Sequence, residues 1–218
     1  MNTMQPSPYA EIRAARPDDE DAVVNICHKT FIDVPDFPYP ELIGFRWVVC
    51  YIRHSYDFSF VAVNEEDQAV GYILCAPDSL LYAKSYHSEM IPLIRKACRR
   101  LAKTHPDLYK KHRSLFLPRV DEYKSFLLRR IVREYPAHLH IDLLPEYQKM
   151  GLGGKLMNSL LDRLKKAGIT GIHIIVDAGN TNAVGYYKSF GFKILKYRKI
   201  FSMNDYVMGL KLEAGISN

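Results

Sequence analysis

A mixed β-sheet with helices on both faces is the architecture this sequence predicts, in the α/β class. Three observations carry it. From His138 onward, apolar runs of strand type alternate with helical patterns. Before that, one strand pattern, two helical ones and a hairpin signal follow in order. Nothing along the 218 residues has the composition of a linker, so one domain over residues 1–218 is expected, with an elaboration at residues 77–136.

Glu11 to Ala15 reads as a short strand ended by Arg16-Pro17, and Asp18 to Phe31 as a helix with acids in its first turn. Asp33 to Pro40 holds three prolines in eight residues and reads as a loop. Glu41 to His54 is a second helix carrying the only tryptophan, Trp47. Phe58 to Val63, the polar turn Asn64 to Gln68, and Ala69 to Ala76 form the hairpin. Between Pro77 and Pro136 the spacing predicts helices over Ser88 to Lys103 and Asp121 to Glu134, with Pro106 and Pro118 as punctuation. His138 to Leu144 is a strand ending at Pro145. Gly151 to Ala167 is an amphipathic helix with a stripe of Leu152, Leu156, Leu160, Leu161 and Leu164, stopped by Gly168. Ile172 to Val176 is a strand and Thr181 to Phe190 a helix. Phe192 to Phe201 and Tyr206 to Leu212 are closing strands, joined by a turn over Ser202 to Asp205. The strands number about seven.

Composition narrows the class. Hydrophobic residues make up 48% and charged residues 25%, as in an ordinary globular protein able to bury a core without disulfides or metals. No window approaches 18 consecutive apolar residues, so no transmembrane helix is expected, and Met1 to Ala10 has no secretory pattern. Cys27, Cys50, Cys75 and Cys98 form no Cys-x-x-Cys pair; reduced, mostly buried thiols and a cytoplasmic location are the expectation. The net charge of +6 is uneven: Pro77 to Pro136 holds 14 Lys and Arg against 6 Asp and Glu, an excess of +8. That segment is a candidate surface for an anionic partner.

The strongest chemical signal is Gln148-Lys149-Met150-Gly151-Leu152-Gly153-Gly154, between a strand and a helix. A glycine-rich strand-to-helix turn leaves backbone N–H groups pointing one way, lets an anion approach closely, and adds the positive end of a helix dipole. Such a loop suits a pyrophosphate. The Rossmann fingerprint fails because Leu156 stands three residues after Gly153. A Walker loop fails because Gly154-Lys155 is followed by Leu156 rather than Ser or Thr.

Leu143-x-Pro145-x-x-Gln148-x-x-Gly151-x-Gly153 resembles the acetyl-CoA signature of the GNAT N-acetyltransferase superfamily, Arg/Gln-x-x-Gly-x-Gly/Ala. A second block, Asn180-x-x-Ala183-x-x-x-Tyr187-x-x-x-Gly191-Phe192, is similar to the region that follows in the family. The resemblance covers Ala137 to Leu212; the N-terminal strand and helix order agrees with the family but carries no motif. Within the superfamily, His138 to Pro145 looks most like the acetyltransferase-like domain of O-GlcNAc hydrolases and its free-standing bacterial relatives.

The resemblance implies acetyl-CoA (coenzyme A) as cosubstrate and a primary amine as acceptor: an amino sugar, a small amine, or a peptide or lysine. It implies direct attack in a ternary complex. The backbone of Leu143 and Leu144 would polarise the acetyl carbonyl. The amides of Gln148, Lys149, Met150, Gly151, Leu152, Gly153 and Gly154 would hold the pyrophosphate. Asn180 would bond the pantetheine arm, and Tyr187 would protonate the departing thiolate, a job that suits a phenol.

An alkylammonium has a pKa around 10 and must lose a proton before attack. Asp142 is the first choice of base, since a buried carboxylate there would gain basicity; the alternative is a structural Asp that pins a loop. Asp177 either positions the amine or caps the helix at Thr181. His138, His140 and Asp142 share one strand face, but Leu143 follows where a metallo-hydrolase pattern continues with His, so no metal is expected. His140 then stands as a proton relay through water.

The basic segment sits where acceptors enter in the family. It mixes Tyr82, Tyr86, Tyr109 and Tyr123 with Arg and Lys, a composition suited to sugar phosphates, acidic peptides or nucleic acid. Nucleic acid is the least favoured, because no recognition motif accompanies the charge. The other reading of the segment is a solvated helical pair over the sheet edge. For the whole chain, the rival class is a regulatory module that binds acetyl-CoA but transfers nothing. The joint presence of Asp142 and Tyr187 favours an enzyme.

Overall fold

The computed structural model describes residues 10–31, 37–116, 126–200 and 203–213. Seven strands form one sheet in the order β1-β2-β3-β4-β5-β7-β6. They are β1 (Glu11–Ala14), β2 (Phe60–Val63), β3 (Ala69–Ala76), β4 (Ala137–Leu143), β5 (Gly171–Asp177), β6 (Lys193–Ile200) and β7 (Met203–Lys211). All neighbours run antiparallel except β4 and β5. A central position explains β3, whose residues Val70 to Ala76 are all buried. Its hairpin with β2 closes over Asn64 to Gln68, where Asn64 Oδ1 accepts from the Glu66 and Gln68 amides. Arg13 and Arg16 then pin the turn through Asp67.

Helices α1 (Glu20–Thr30), α2 (Pro40–Trp47) and α3 (Val49–Ser55) follow β1. The single helix expected from Glu41 to His54 breaks at Val48, which leaves helical geometry at φ −128°. The break lets Val48 and Val49 both enter the core, and tertiary burial overrides continuity. The expected loop at Asp33 lies partly outside the described residues.

Between β3 and β4 the chain builds more helix than its pattern announces: α4 (Ser79–Ser85), a π turn (Tyr86–Met90), α5 (Ile91–Thr104), α6 (Pro106–Phe116) and α7 (Phe126–Glu134). Asp78 caps α4, its Oδ1 accepting from the Leu80 and Leu81 amides. Pro106 begins α6 rather than interrupting a helix, because the first helical position needs no N–H and favours proline's fixed φ. Asp121 to Ser125, Tyr123 and Pro118 lie outside the described residues.

Helix α8 (Leu152–Lys166) buries the expected leucine stripe, with Leu156, Leu160 and Leu164 wholly inaccessible. Glycines in the left-handed region set both ends, Gly151 at φ +78° and Gly168 at φ +72°. After β5 comes α9 (Thr181–Ser189). Of the turn expected over Ser202 to Asp205, Ser202 lies outside the described residues and the remainder belongs to β7. Asn204 and Asp205 are paired within β7, and Asp205 is held by a buried ion pair with Arg198 at 2.8 Å.

The pleat fixes which helix lies on which face. Asp142 and Leu143 point to opposite sides of β4. Asp142 bonds Tyr72, which in turn interacts with Cys27 of α1, whereas Leu143 lies against Gly153 at the start of α8. Hence α1 covers one face and α8 the other. Cys27, Cys50 and Cys75 are buried and Cys98 partly so, all as free thiols; burial pushes Cys27 and Cys50 up to about 12, which keeps them protonated and unreactive.

Candidate active site

The site begins where the sheet fails to close. β4 stays registered with β3 from His138 to Leu143, but it pairs with β5 only at Ala137↔Ile172 and His138↔His173. Beyond His138 the two parallel strands part. In an antiparallel ladder alternate residues direct their N–H groups to opposite neighbours. The Leu144 amide donates to Val70 O at 2.9 Å, so Asp142 shares that direction and Leu143 faces the gap. This corrects the sequence reading: the Leu144 N–H is committed to the sheet and is no carbonyl donor, while that of Leu143 is aimed into the opening.

On one side of the gap lies the glycine-rich turn. Lys149 (φ +62°) and Gly151 both adopt left-handed backbone, which wraps the chain tightly before α8. Lys155 N–H donates to Gly151 O, so the amides of Gly151, Leu152, Gly153 and Gly154 precede the helix's own hydrogen bonding, and no side chain caps them. Met150 is exposed alongside. The Gln148 amide is excluded from this set, because it donates to Pro145 O at 3.2 Å. The Gln148 side chain instead donates to Leu143 O at 2.9 Å and fixes the end of β4. Tyr186, which the sequence reading missed, donates its hydroxyl to Gly153 O at 2.8 Å and ties α9 to the turn.

Tyr187, beside it, is buried against Phe192. Burial pushes its phenol well above the usual tyrosine value, helped by Tyr186 and by the charge of Asp142, so it is a neutral hydroxyl at physiological pH. Asn180 is exposed and caps α9, its Oδ1 accepting from Ala183 at 3.0 Å. Asp177 is exposed and caps the preceding turn, accepting from Gly179 at 2.6 Å, rather than the helix at Thr181.

On the other side of the gap, Asp142 Oδ2 accepts from Tyr72 Oη at 2.7 Å. The same hydroxyl lies 3.1 Å from His140 Nδ1, and His140 is 3.7 Å from the Asp142 carboxylate. Tyr72 is wholly buried, and burial raises its pKa well above the usual value, so it is a fixed donor. Asp142 is 29% exposed, which corrects the expectation of a buried carboxylate: one oxygen is anchored and the group still meets solvent. His140 stacks between the Tyr72 and Trp47 rings, at 5.9 and 6.3 Å. His138 is buried, bonded to Ser79 Oγ at 2.9 Å, and held well below the usual imidazole pKa by that burial. It joins β4 to α4 and takes no part in the Asp142 cluster. Among the described residues, no group of three or more His, Cys, Asp or Glu side chains converges as a metal shell.

A pocket of about 180 Å³ opens over the gap on this same face, lined by β4 and β5 together with α2, α3, α4 and the π turn. The structure therefore brings Asp142, His140 and Tyr72 together on one side, and Leu143, the glycine turn and Tyr186 on the other. Tyr72 was hidden in the sequence by the apolar run around it; only the register Tyr72↔Asp142 reveals it.

Residues 120–192 match the acetyltransferase (GNAT) family model. Over 75 residues the chain is 32% identical to the ribosomal protein bS18-alanine N-acetyltransferase of Escherichia coli strain K12, covering 34% of this chain and 51% of that one. Its counterpart in Salmonella typhimurium is 28% identical over 89 residues, covering 41% and 60%. The chain thus spans about half the length of the first of these relatives. Among solved structures, that of SsHAT shares 26% identity with a TM-score of 0.69, covering 94% of this chain and all of that one. The yncA protein of Salmonella typhimurium, solved with its cofactor acetyl-CoA, shares the fold at 14% identity and a TM-score of 0.57, covering 94% and 95%. The stretch from 120 to 192, which holds the glycine turn and the splayed end of β4, is thus similar to GNAT acetyltransferases, and the whole fold is shared with solved structures of that kind.

Proposed function

We propose that the protein transfers an acetyl group from acetyl-CoA to the nitrogen of a primary amine, by direct attack while both substrates are bound. The observation that carries this reading is the gap between β4 and β5. It has a pyrophosphate-type turn on one face, a carboxylate on the other, and the Leu143 N–H aimed between them. Two substrates held on opposite faces meet there.

The amides of the turn from Lys149 to Gly154, with the positive end of α8, would hold the cofactor's pyrophosphate. Asn180, with its Oδ1 used as a cap, offers its side-chain N–H groups to the pantetheine arm. The acetyl carbonyl would accept from Leu143 N–H, which stabilises the oxyanion as the amine nitrogen attacks the thioester carbon. Before that attack Asp142, oriented by Tyr72, takes one proton from the bound ammonium and frees the nitrogen lone pair. The tetrahedral intermediate then expels the thiolate of coenzyme A, which takes its proton from Tyr187, and the N-protonated amide left behind returns its extra proton, through water, to Tyr187. Because burial raises the Tyr187 pKa, that acid is retained on the alkaline side past tyrosine's ordinary value of about 10.

Calorimetry with acetyl-CoA and a thiol-release screen of amine acceptors test the reading together. Micromolar cofactor binding and acceptor-dependent thiol release are expected. Binding without release on any acceptor would convert the protein into a silent acetyl-CoA module.

A further inference from the structure

We infer that the acceptor is a small primary amine carried on a flat ring, an arylalkylamine, seated in the pocket above the gap. The inference rests on the proposed transfer and names its substrate class. Size is the first ground. A cavity of about 180 Å³ is slightly larger than the ~150 Å³ that accommodates one benzene ring, so it takes a ring and a short arm.

The lining is the second. Trp47, Tyr51, Tyr82 and Tyr86 supply its walls together with His138 and His140. These rings brace one another: Tyr51 and Tyr82 lie 4.5 Å apart, Tyr82 and His138 4.6 Å, and Tyr82 stacks on Tyr86 at 6.0 Å. Walls built this way present ring faces and edges and resist collapse, which favours a planar guest.

Charge is the third. Among the described residues that line the pocket none is Asp or Glu, while Arg46 lies over the Trp47 ring at 4.6 Å, so a second cation, as on a polyamine or a lysine-rich peptide, meets like charge and no counter-charge there. Asp142 lies outside the lining but 3.7 Å from His140, which is part of it, so the carboxylate is next to the end of the pocket where the amine would react. Position is the fourth. Ser79, bonded to both Pro136 O and His138, anchors α4 over β4, which fixes Tyr82 of α4 and Tyr86 of the π turn in place as one wall of the pocket.

Trp47 is the only tryptophan, so its fluorescence reports on this pocket without turnover. We expect phenylethylamine to change that emission saturably and to be acetylated with a higher kcat/KM than spermidine, glucosamine or a peptide beginning with alanine. Tyr82→Ala should raise the phenylethylamine KM about tenfold with acetyl-CoA affinity unchanged, and Tyr82→Phe should restore it. Preferred turnover of the peptide, the sugar or the polyamine would overturn the inference, as would a Tyr82→Ala enzyme with unaltered KM. Should Tyr82→Ala fail to fold, the emission titration of the native protein decides: no saturable change with phenylethylamine overturns the assignment. Saturable binding with no thiol release would leave the ring-amine pocket standing and remove the transfer reaction instead.

Discussion

The two faces of the β4–β5 gap are built from different materials. On the α8 side the candidate chemistry belongs to the backbone: left-handed residues at Lys149 and Gly151, uncapped amides, and a peptide N–H at Leu143. On the α1–α4 side it belongs to side chains, with Asp142, His140 and Tyr72 in one cluster and a wall of rings around them. A backbone site recognises what every reaction of the family shares. A side-chain site varies with each residue, and so is where one acceptor is told from another.

Substitutions can break this contrast or sharpen it. The largest effect is expected from Asp142→Asn, which should cut kcat by ~10²–10⁴-fold, the usual worth of a positioned proton acceptor, and leave acetyl-CoA affinity intact. Part of the rate should return as pH approaches the amine's own pKa of about 10, where deprotonation needs no help. Activity unaffected by the change would make Asp142 structural and pass its role to His140.

Gly153→Glu probes the backbone side. A Cβ at Gly153 meets Leu143 and Tyr186 at ordinary contact distance, 3.6 Å, so Gly153→Ala should fold and bind. A carboxylate near a pyrophosphate costs about 4 kcal/mol at 4 Å and intermediate dielectric, so Gly153→Glu should weaken acetyl-CoA ~10²–10³-fold by calorimetry. Equal affinities for the two variants would move the cofactor elsewhere.

Tyr72→Phe should lower kcat by about tenfold, because it removes a hydrogen bond to a charged group that orients Asp142. Both KM values should hold. A change confined to thermal stability would show that Tyr72 only fills the core.

The smallest effect comes from the basic segment. Arg95, Lys96, Arg99 and Arg100 lie exposed on α5, whereas the pocket is lined by Tyr82 and Tyr86 from α4 and the π turn. The insert thus turns rings inward and carries these cations outward, unlike the expectation of an acceptor surface made by charge. Replacing all four by Gln should leave the phenylethylamine KM within about twofold, since exposed charges are screened beyond 8–10 Å. A large, salt-sensitive fall in that KM, from relieved repulsion of the ammonium, would show instead that the α5 charges reach the pocket.

How much of this was legible follows the same division. The α8 leucine stripe, the glycine ends and the β3 run carry local periodicity, and the chain alone announces them. Whether the Gln148 or the Leu144 amide is available was not legible, because Pro145 and Val70 claim them only in the folded sheet. Seven-residue α4 shows too few turns for a period, and Leu80 and Leu81 face solvent, so no apolar stripe marks it. Asn204 and Asp205 carry turn chemistry, yet pairing to β6 and the Arg198 ion pair hold them in a strand. The ring-lined pocket is assembled from separated segments of the chain, and no local pattern could foretell which rings would meet.

A strand bonded to its neighbour on one side only keeps two clocks. Along β4, the Asp142 and Leu144 amides turn toward β3, whereas those of Ile141 and Leu143 turn toward a strand that has already left. In deuterated water the first pair should exchange slowly, at the pace of core opening, and the second pair orders of magnitude sooner. A thioester carbonyl arriving in the gap would slow Leu143 and leave Asp142 as it was. A single peptide group thereby becomes a timer of occupancy, readable residue by residue before any acceptor is added.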